Sequence, residues 1–86
     1  MTAKTAEIIA LKALSYILEN PDSRKKFIDN TGMDGSTLSN RIKDKDHLCG
    51  ILDYILSNEE LLIRFCEHLT LPPEVVQRAS RTLSAP

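Results

Sequence analysis

Two short segments combine histidine with cysteine, and they are the first places where this chain could do chemistry. His47 stands two residues before Cys49, and Cys66 stands two residues before His68. Two histidines and two cysteines suit tetrahedral zinc. However, residues two apart on a helix point about 160° away from each other, so neither pair can chelate one ion from a regular helix. The sequence therefore predicts no metal site and no cofactor, with both cysteines as small core hydrophobes and both histidines at the surface.

A cysteine can also serve as a nucleophile when its surroundings lower the thiol pKa. Cys49 falls in the first turn of a predicted helix, where the helix dipole favours the thiolate, whereas Cys66 falls in the middle of one. The sequence contains no glycine-rich phosphate loop, and Glu59 and Glu60 are typical of a helix start rather than an acid/base pair. We therefore predict a protein that is not an enzyme, and an enzyme that uses Cys49 is the less favoured alternative.

The segment TGMDGSTLSNRIKD, residues 31–44, resembles the turn and recognition helix of a helix-turn-helix. Gly32 would make the turn. The side chains that would contact base edges are Ser36, Thr37, Ser39, Asn40 and Arg41. Residues 20–47 carry six lysines and arginines against five aspartates, a sum of only +1, whereas nucleic-acid binders show a clear basic excess. A glycine-capped corner between two helices is the favoured interpretation, and a DNA-associated regulator is the alternative.

Length and composition define a single small domain. The chain has 86 residues, a net charge of −1 and 42% hydrophobic residues, which is ordinary globular composition. The longest apolar run, IIALKALSYIL at residues 8–18, is too short to span a bilayer. The start of the chain lacks the pattern of a secretory signal peptide. We expect a soluble cytoplasmic protein with reduced thiols, with neither a membrane nor a nucleic acid as its partner.

Apolar residues recur at spacings of three and four along the whole chain, which predicts helices throughout. The predicted helices cover approximately residues 5–19, 21–30, 35–43, 46–56, 57–69 and 73–83. Their connections are short, and short connections favour neighbouring helices that pack against each other. The sequence therefore predicts an all-α fold, a compact orthogonal bundle of five or six short helices, in a single domain over residues 1–86 with an ordered core at about 5–83.

Local signals predict the ends and the buried faces of these helices. Gly32 is expected to end the second helix, and Ser57 with Glu60 resembles a capping box that opens the fifth. On the fifth helix, Glu60 and Arg64 should pair on the outer face. The residues expected in the core follow the helical period and are Ala6, Ile9, Ala10, Ala13, Leu14, Ile17, Phe27, Ile28, Leu38, Ile42, Leu48, Ile51, Leu52, Ile55, Leu62, Phe65, Cys66, Leu69, Val76, Ala79 and Leu83.

The first predicted helix is apolar on nearly all sides. Besides its core face, it carries Ile8, Leu11 and Leu18 on the other side, next to lysines and a serine. These three side chains either cover another helix or form an exposed apolar strip for a protein partner or a second copy. We take them as the candidate partner surface.

Three stretches carry a resemblance to a known family. They are ALKALSYILENP, FIDNTGMD and LCGILDYILSNEELLIRFCEHLTLPPEVVQRA, which together span about residues 6–83. In order and spacing they resemble a family of short alphaproteobacterial proteins catalogued as domain of unknown function 3572. The chain departs from it at Cys49, Cys66 and His68, where members are richer in alanine and leucine. The resemblance implies an all-helical single domain and carries no assigned activity. The leading hypothesis is a non-enzymatic interaction or regulatory module of the bacterial cytoplasm.

Overall fold

The computed structural model describes residues 1–33 and 44–85 of the chain. It contains helices α1 (Ala3–Glu19), α2 (Pro21–Thr31), α3 (Lys45–Ser57), α4 (Glu59–Leu69) and α5 (Pro73–Ser84). Every regular element in these two ranges is a helix, and the helices pack into a compact bundle, which confirms the predicted all-α class. The helix predicted at residues 35–43 lies outside the described residues.

The first two helices meet at a corner of one residue, Asn20. Asn20 ends α1, and its Oδ1 accepts hydrogen bonds from the backbone N–H groups of Asp22 and Ser23 at 2.9 and 3.2 Å, so it also caps α2. Pro21 occupies the first helical position, where its missing N–H costs nothing. Gly32 ends α2 as predicted: its φ of 71° is left-handed, and its N–H donates to the Ile28 carbonyl at 2.8 Å.

The start of α4 differs from the prediction by one residue. Asn58, not Ser57, is the N-cap, and its Oδ1 accepts a hydrogen bond from the Leu61 N–H at 3.2 Å. Ser57 still belongs to the last turn of α3, and its hydroxyl donates to the Tyr54 carbonyl at 2.8 Å. A serine whose hydroxyl already bonds inside the preceding helix does not serve as the cap of the next one.

The buried face of α4 also differs from the prediction. Leu62 and Leu69, which were expected in the core, pack against it only in part. Leu61, which was not expected there, is buried and lies four residues before Phe65 on the same side of the helix. The predicted pair on the outer face is confirmed, with Arg64 Nη2 at 2.6 Å from Glu60 Oε1.

Helix α1 forms the centre of the bundle and packs against α2, α3 and α5. All six residues predicted for its core face are buried, as are the four predicted on α3 and the three on α5. Ile28 on α2 is only partly buried, so Phe27 is the one fully buried side chain of that helix. The Cα atoms extend 29 × 27 × 17 Å, which corresponds to about two layers of helices at a spacing of roughly 8–10 Å. The three hollows described below are open to solvent.

Candidate interaction surface

The outer side of α1 exposes two large apolar side chains. Ile8 is 45% exposed and Leu11 is 39% exposed. Leu18, the third residue predicted for this surface, is partly buried and packs against the core. It lies in the last turn of α1, where α2 folds back against that helix. The exposed apolar surface is therefore shorter than predicted and centres on Ile8 and Leu11.

Lysines flank this surface. Lys4 precedes Ile8 by four residues and Lys12 follows it by four, and both lysines are exposed. Residues four apart are neighbours on the surface of a helix, in a row inclined to its axis. We call Lys4, Ile8, Leu11 and Lys12 the α1 strip. It is an apolar patch between two cations.

A second exposed apolar side chain lies on α4 and was not predicted. Ile63 is 46% exposed, and the exposed Glu59 and Glu67 lie four residues before and after it. We call Glu59, Ile63 and Glu67 the α4 strip. The sequence does contain a signal for it, the pattern Glu-x3-Ile-x3-Glu at residues 59–67.

An open hollow of about 410 Å³ lies beside the α4 strip. Its lining residues are Ile63, Cys66, Glu67, Thr70, Leu71 and Pro73. The hollow forms where α4 ends: Thr70 takes a left-handed conformation with φ of 55°, and the Leu71 N–H donates to the Cys66 carbonyl at 2.9 Å. A left-handed threonine costs about 1–2 kcal/mol, and the backbone hydrogen bonds donated by Thr70 and Leu71 to the last turn of α4 stabilise this conformation.

A smaller polar cleft lies where the N-termini of α2 and α4 approach each other. Hollows of about 130 and 220 Å³ share Ser23, Leu61 and Arg64 in their linings. Lysine and glutamate side chains contribute to the same walls, and Arg64 is already paired with Glu60. The charges in this cleft are therefore mixed, and it does not select a ligand of one sign.

The surroundings of Cys49 oppose the role of a nucleophile. Its Sγ lies 3.8 Å from Asp53 Oδ2 and 3.8 Å from the Ser80 carbonyl oxygen. Burial, followed by the negative charge of Asp53, raises the pKa of the Cys49 thiol. The net direction is therefore opposite to the lowering that the helix dipole alone would favour. The Ser80 hydroxyl donates to Asp53 Oδ1 at 2.7 Å, so this polar cluster ties α3 to α5.

We expect Cys49 to alkylate slowly at pH 7, because a raised pKa leaves less thiolate at neutral pH. Its rate should still be rising steeply at a pH where a free thiol is already half ionised. Asp53→Asn removes one of the causes of the raised pKa and should speed the reaction at pH 7. Peptide-resolved mass spectrometry after iodoacetamide treatment measures this rate separately from that of Cys66. A rate at pH 7 equal to or above that of a free cysteine peptide would contradict the prediction.

The histidines do not join the cysteines in a common site. His68 is exposed, as predicted, and its ring packs against Tyr16 at an angle of 41°, with centroids 5.1 Å apart. His47 was expected at the surface but is partly buried, with Nδ1 shielded from solvent and 3.6 Å from Asp44 Oδ2. Cys66 is buried, as predicted, whereas Cys49 is only partly buried. Within residues 1–33 and 44–85, no three His, Cys, Asp or Glu side chains are grouped so that they could hold a metal ion.

The predicted base-contacting residues cannot be placed on this surface. All five lie outside the described residues; they are Ser36, Thr37, Ser39, Asn40 and Arg41. The glycine that precedes them does adopt the left-handed conformation that a corner between two helices needs.

The fold and the surfaces define a small all-helical protein with exposed apolar strips on two helices. No described helix has the length and apolar character needed to cross a membrane. The model of the family "Protein of unknown function (DUF3572)" matches residues 3–86, and the chain belongs to that family. No curated protein and no solved structure matches the chain.

Proposed function

We propose that this protein is a non-enzymatic interaction module that binds a protein partner through the outer side of α1. The observation that carries this proposal is the exposure of Ile8 and Leu11 on one face of the central helix. Fully burying such a side chain is worth about 1.5–3 kcal/mol. A complex in which a partner buries both the Ile8 and the Leu11 side chains would therefore be stabilised by the removal of their exposed apolar area from water.

Cys49 and the clefts give little support for a catalytic role. The pKa of Cys49 is raised rather than lowered, and the clefts of about 130 and 220 Å³ have mixed charges. Small-molecule sites are usually larger, apolar and lined by a few convergent polar groups. The hollow beside Ile63 is large enough, but it is open and almost entirely apolar, which suits a protein side chain better than a reacting group.

The size of the α1 strip favours a transient contact. Stable interfaces bury about 800 Å² on each partner, which is far more than two half-exposed side chains supply. A short strip with flanking charges is typical of weak, regulated association. We further propose a cytoplasmic setting in bacteria, which the two free cysteines support.

We expect Leu11→Glu to stay folded and to lose the partner. The side chain is 39% exposed, so a glutamate there remains solvated in the free protein but would be buried without a counter-charge in the complex. Affinity purification of the tagged protein from its native host, followed by circular dichroism of the variant, measures both effects. We expect the amount of co-purified partner to fall at least about tenfold.

The matched control is Lys25→Gln, which changes the net charge by the same single unit at an exposed position of α2. It should retain the partner. If Leu11→Glu and Lys25→Gln bind the partner equally well, the outer side of α1 is not the contact surface.

A further inference from the structure

We propose that a second copy of this chain docks on the α1 strip and that it does so with its α4 strip. This inference rests on the proposed function, because it names one partner for the same surface. It starts from the large apolar side chains that are exposed within residues 1–33 and 44–85, which are Met1, Ile8, Leu11 and Ile63. Apart from the chain's first residue, all of them belong to the two strips.

The two strips carry the same spacing with opposite charge. On α1, Ile8 lies midway between Lys4 and Lys12. On α4, Ile63 lies midway between Glu59 and Glu67. Eight residues of helix rise about 12 Å, so the two lysines and the two glutamates are separated by equal distances along their helices. When the isoleucines are placed opposite each other, each lysine meets a glutamate.

This match selects one pairing among the three that are possible. Pairing α1 with α1 would place lysines against lysines, and pairing α4 with α4 would place glutamates against glutamates. Like charges across an interface are unfavourable, whereas opposite charges steer the surfaces together. In each strip the two charges lie at equal distances from the isoleucine. The charges therefore match whether the two helices run parallel or antiparallel.

The strip charges are available for such a contact. The ion pairs found in the described part of the chain join Arg64 to Glu60 and His47 to Asp44. Neither uses a lysine or glutamate of the two strips. All four charged side chains are exposed, so they can pair without first leaving another partner.

The shapes also fit. Leu11 lies one turn from Ile8 on the α1 strip, and the hollow of about 410 Å³ lies next to Ile63 on the α4 strip. The hollow is lined mainly by apolar atoms, including those of Leu71 and Pro73. Leu11 lies on the C-terminal side of Ile8, and the hollow lies on the C-terminal side of Ile63. With the isoleucines in contact and the two helices running in the same direction, Leu11 therefore enters this hollow. The contact therefore consists of an apolar centre with a pair of opposite charges on each side.

The test uses charge reversal and sedimentation at low ionic strength with protein on the order of 1 mM, which suits a small, transient interface. The wild-type chain should associate. The variant with Lys4→Glu and Lys12→Glu should be monomeric, and so should the variant with Glu59→Lys and Glu67→Lys. Mixing the two variants should restore association. A chain that carries all four changes should also associate, since its strips are again complementary.

The matched control is Arg24→Glu with Lys25→Glu, which changes the net charge by the same four units at exposed positions of α2. It should associate like the wild type. Circular dichroism verifies that each variant is folded, and the chain with all four changes tests the contact independently of either double variant.

Two outcomes would overturn the second-copy proposal: a wild-type chain that stays monomeric, or double variants that fail to associate when mixed. Either sedimentation result is compatible with the proposed function if a different protein co-purifies with the wild-type chain and is lost from Leu11→Glu. Conversely, retention of that partner by Leu11→Glu contradicts the proposed function without affecting the sedimentation result.

Discussion

Phe65→Ala is expected to lower the free energy of unfolding by about 3–5 kcal/mol. Phe65 is fully buried, and its ring packs against Tyr16 with centroids 5.7 Å apart. Removing the ring takes away apolar burial and leaves a cavity at the place where α4 meets α1. A domain of this size has a total stability of roughly 4–13 kcal/mol, so the loss is a large part of what holds the fold together.

Urea unfolding followed by circular dichroism measures the change, and the thermal midpoint should fall by at least about 12 °C. The matched control is Ile63→Ala, two residues earlier on the same helix. Ile63 is 46% exposed, so its truncation should change the stability by less than about 0.5 kcal/mol. Equal losses for the two variants would mean that the buried face of α4 is assigned wrongly.

The fold class and most of the core follow from the sequence because short amphipathic helices show their buried faces directly. On α1, residues such as Ile9, Leu14 and Ile17 recur at the helical period, and all of them are buried. The α1–α2 corner follows in the same way from Asn20 and Pro21, since proline ends one helix and is accepted at the start of the next.

The register of α4 could not be predicted from local signals. Two adjacent leucines, Leu61 and Leu62, are equally apolar, and either can head a stripe with residues three and four further on. Which one enters the core depends on where the helix begins and on which side faces Tyr16. Asn58 decides the first point by capping α4, and the contact between Phe65 and Tyr16 decides the second. Only the second depends on residues distant in sequence.

Only part of the candidate surface could be predicted from the sequence, because the rest depends on contacts between helices. The exposed positions of Ile8 and Leu11 follow from their place opposite the core face of α1. Leu18 is partly buried against the core, which depends on how the helices pack and cannot be inferred from a pattern within α1. The raised pKa of Cys49 has both local and distant causes. Burial, the largest cause, depends on how the helices pack, whereas Asp53 lies four residues away on the same helix.

Phe27→Ala is expected to loosen α2 selectively, in addition to a loss of about 3–5 kcal/mol in overall stability. Phe27 is the one side chain of α2 that is fully buried. Its ring meets Tyr54 of α3 edge-on, with centroids 5.1 Å apart. The rest of α2 is mostly polar, so little else opposes its detachment from the bundle. Elements with few buried apolar contacts open locally before the whole domain unfolds.

Hydrogen exchange of backbone amides separates this local opening from global unfolding. In Phe27→Ala, the amides of α2 should lose more protection than those of α1 and α3, whose own core residues are untouched. Arg24→Ala is the matched control, because it truncates an exposed side chain of the same helix and should leave all rates within a few fold of the wild type. If protection in Phe27→Ala falls equally in every helix, α2 is held by more than this one ring, and its docking belongs to the cooperative core.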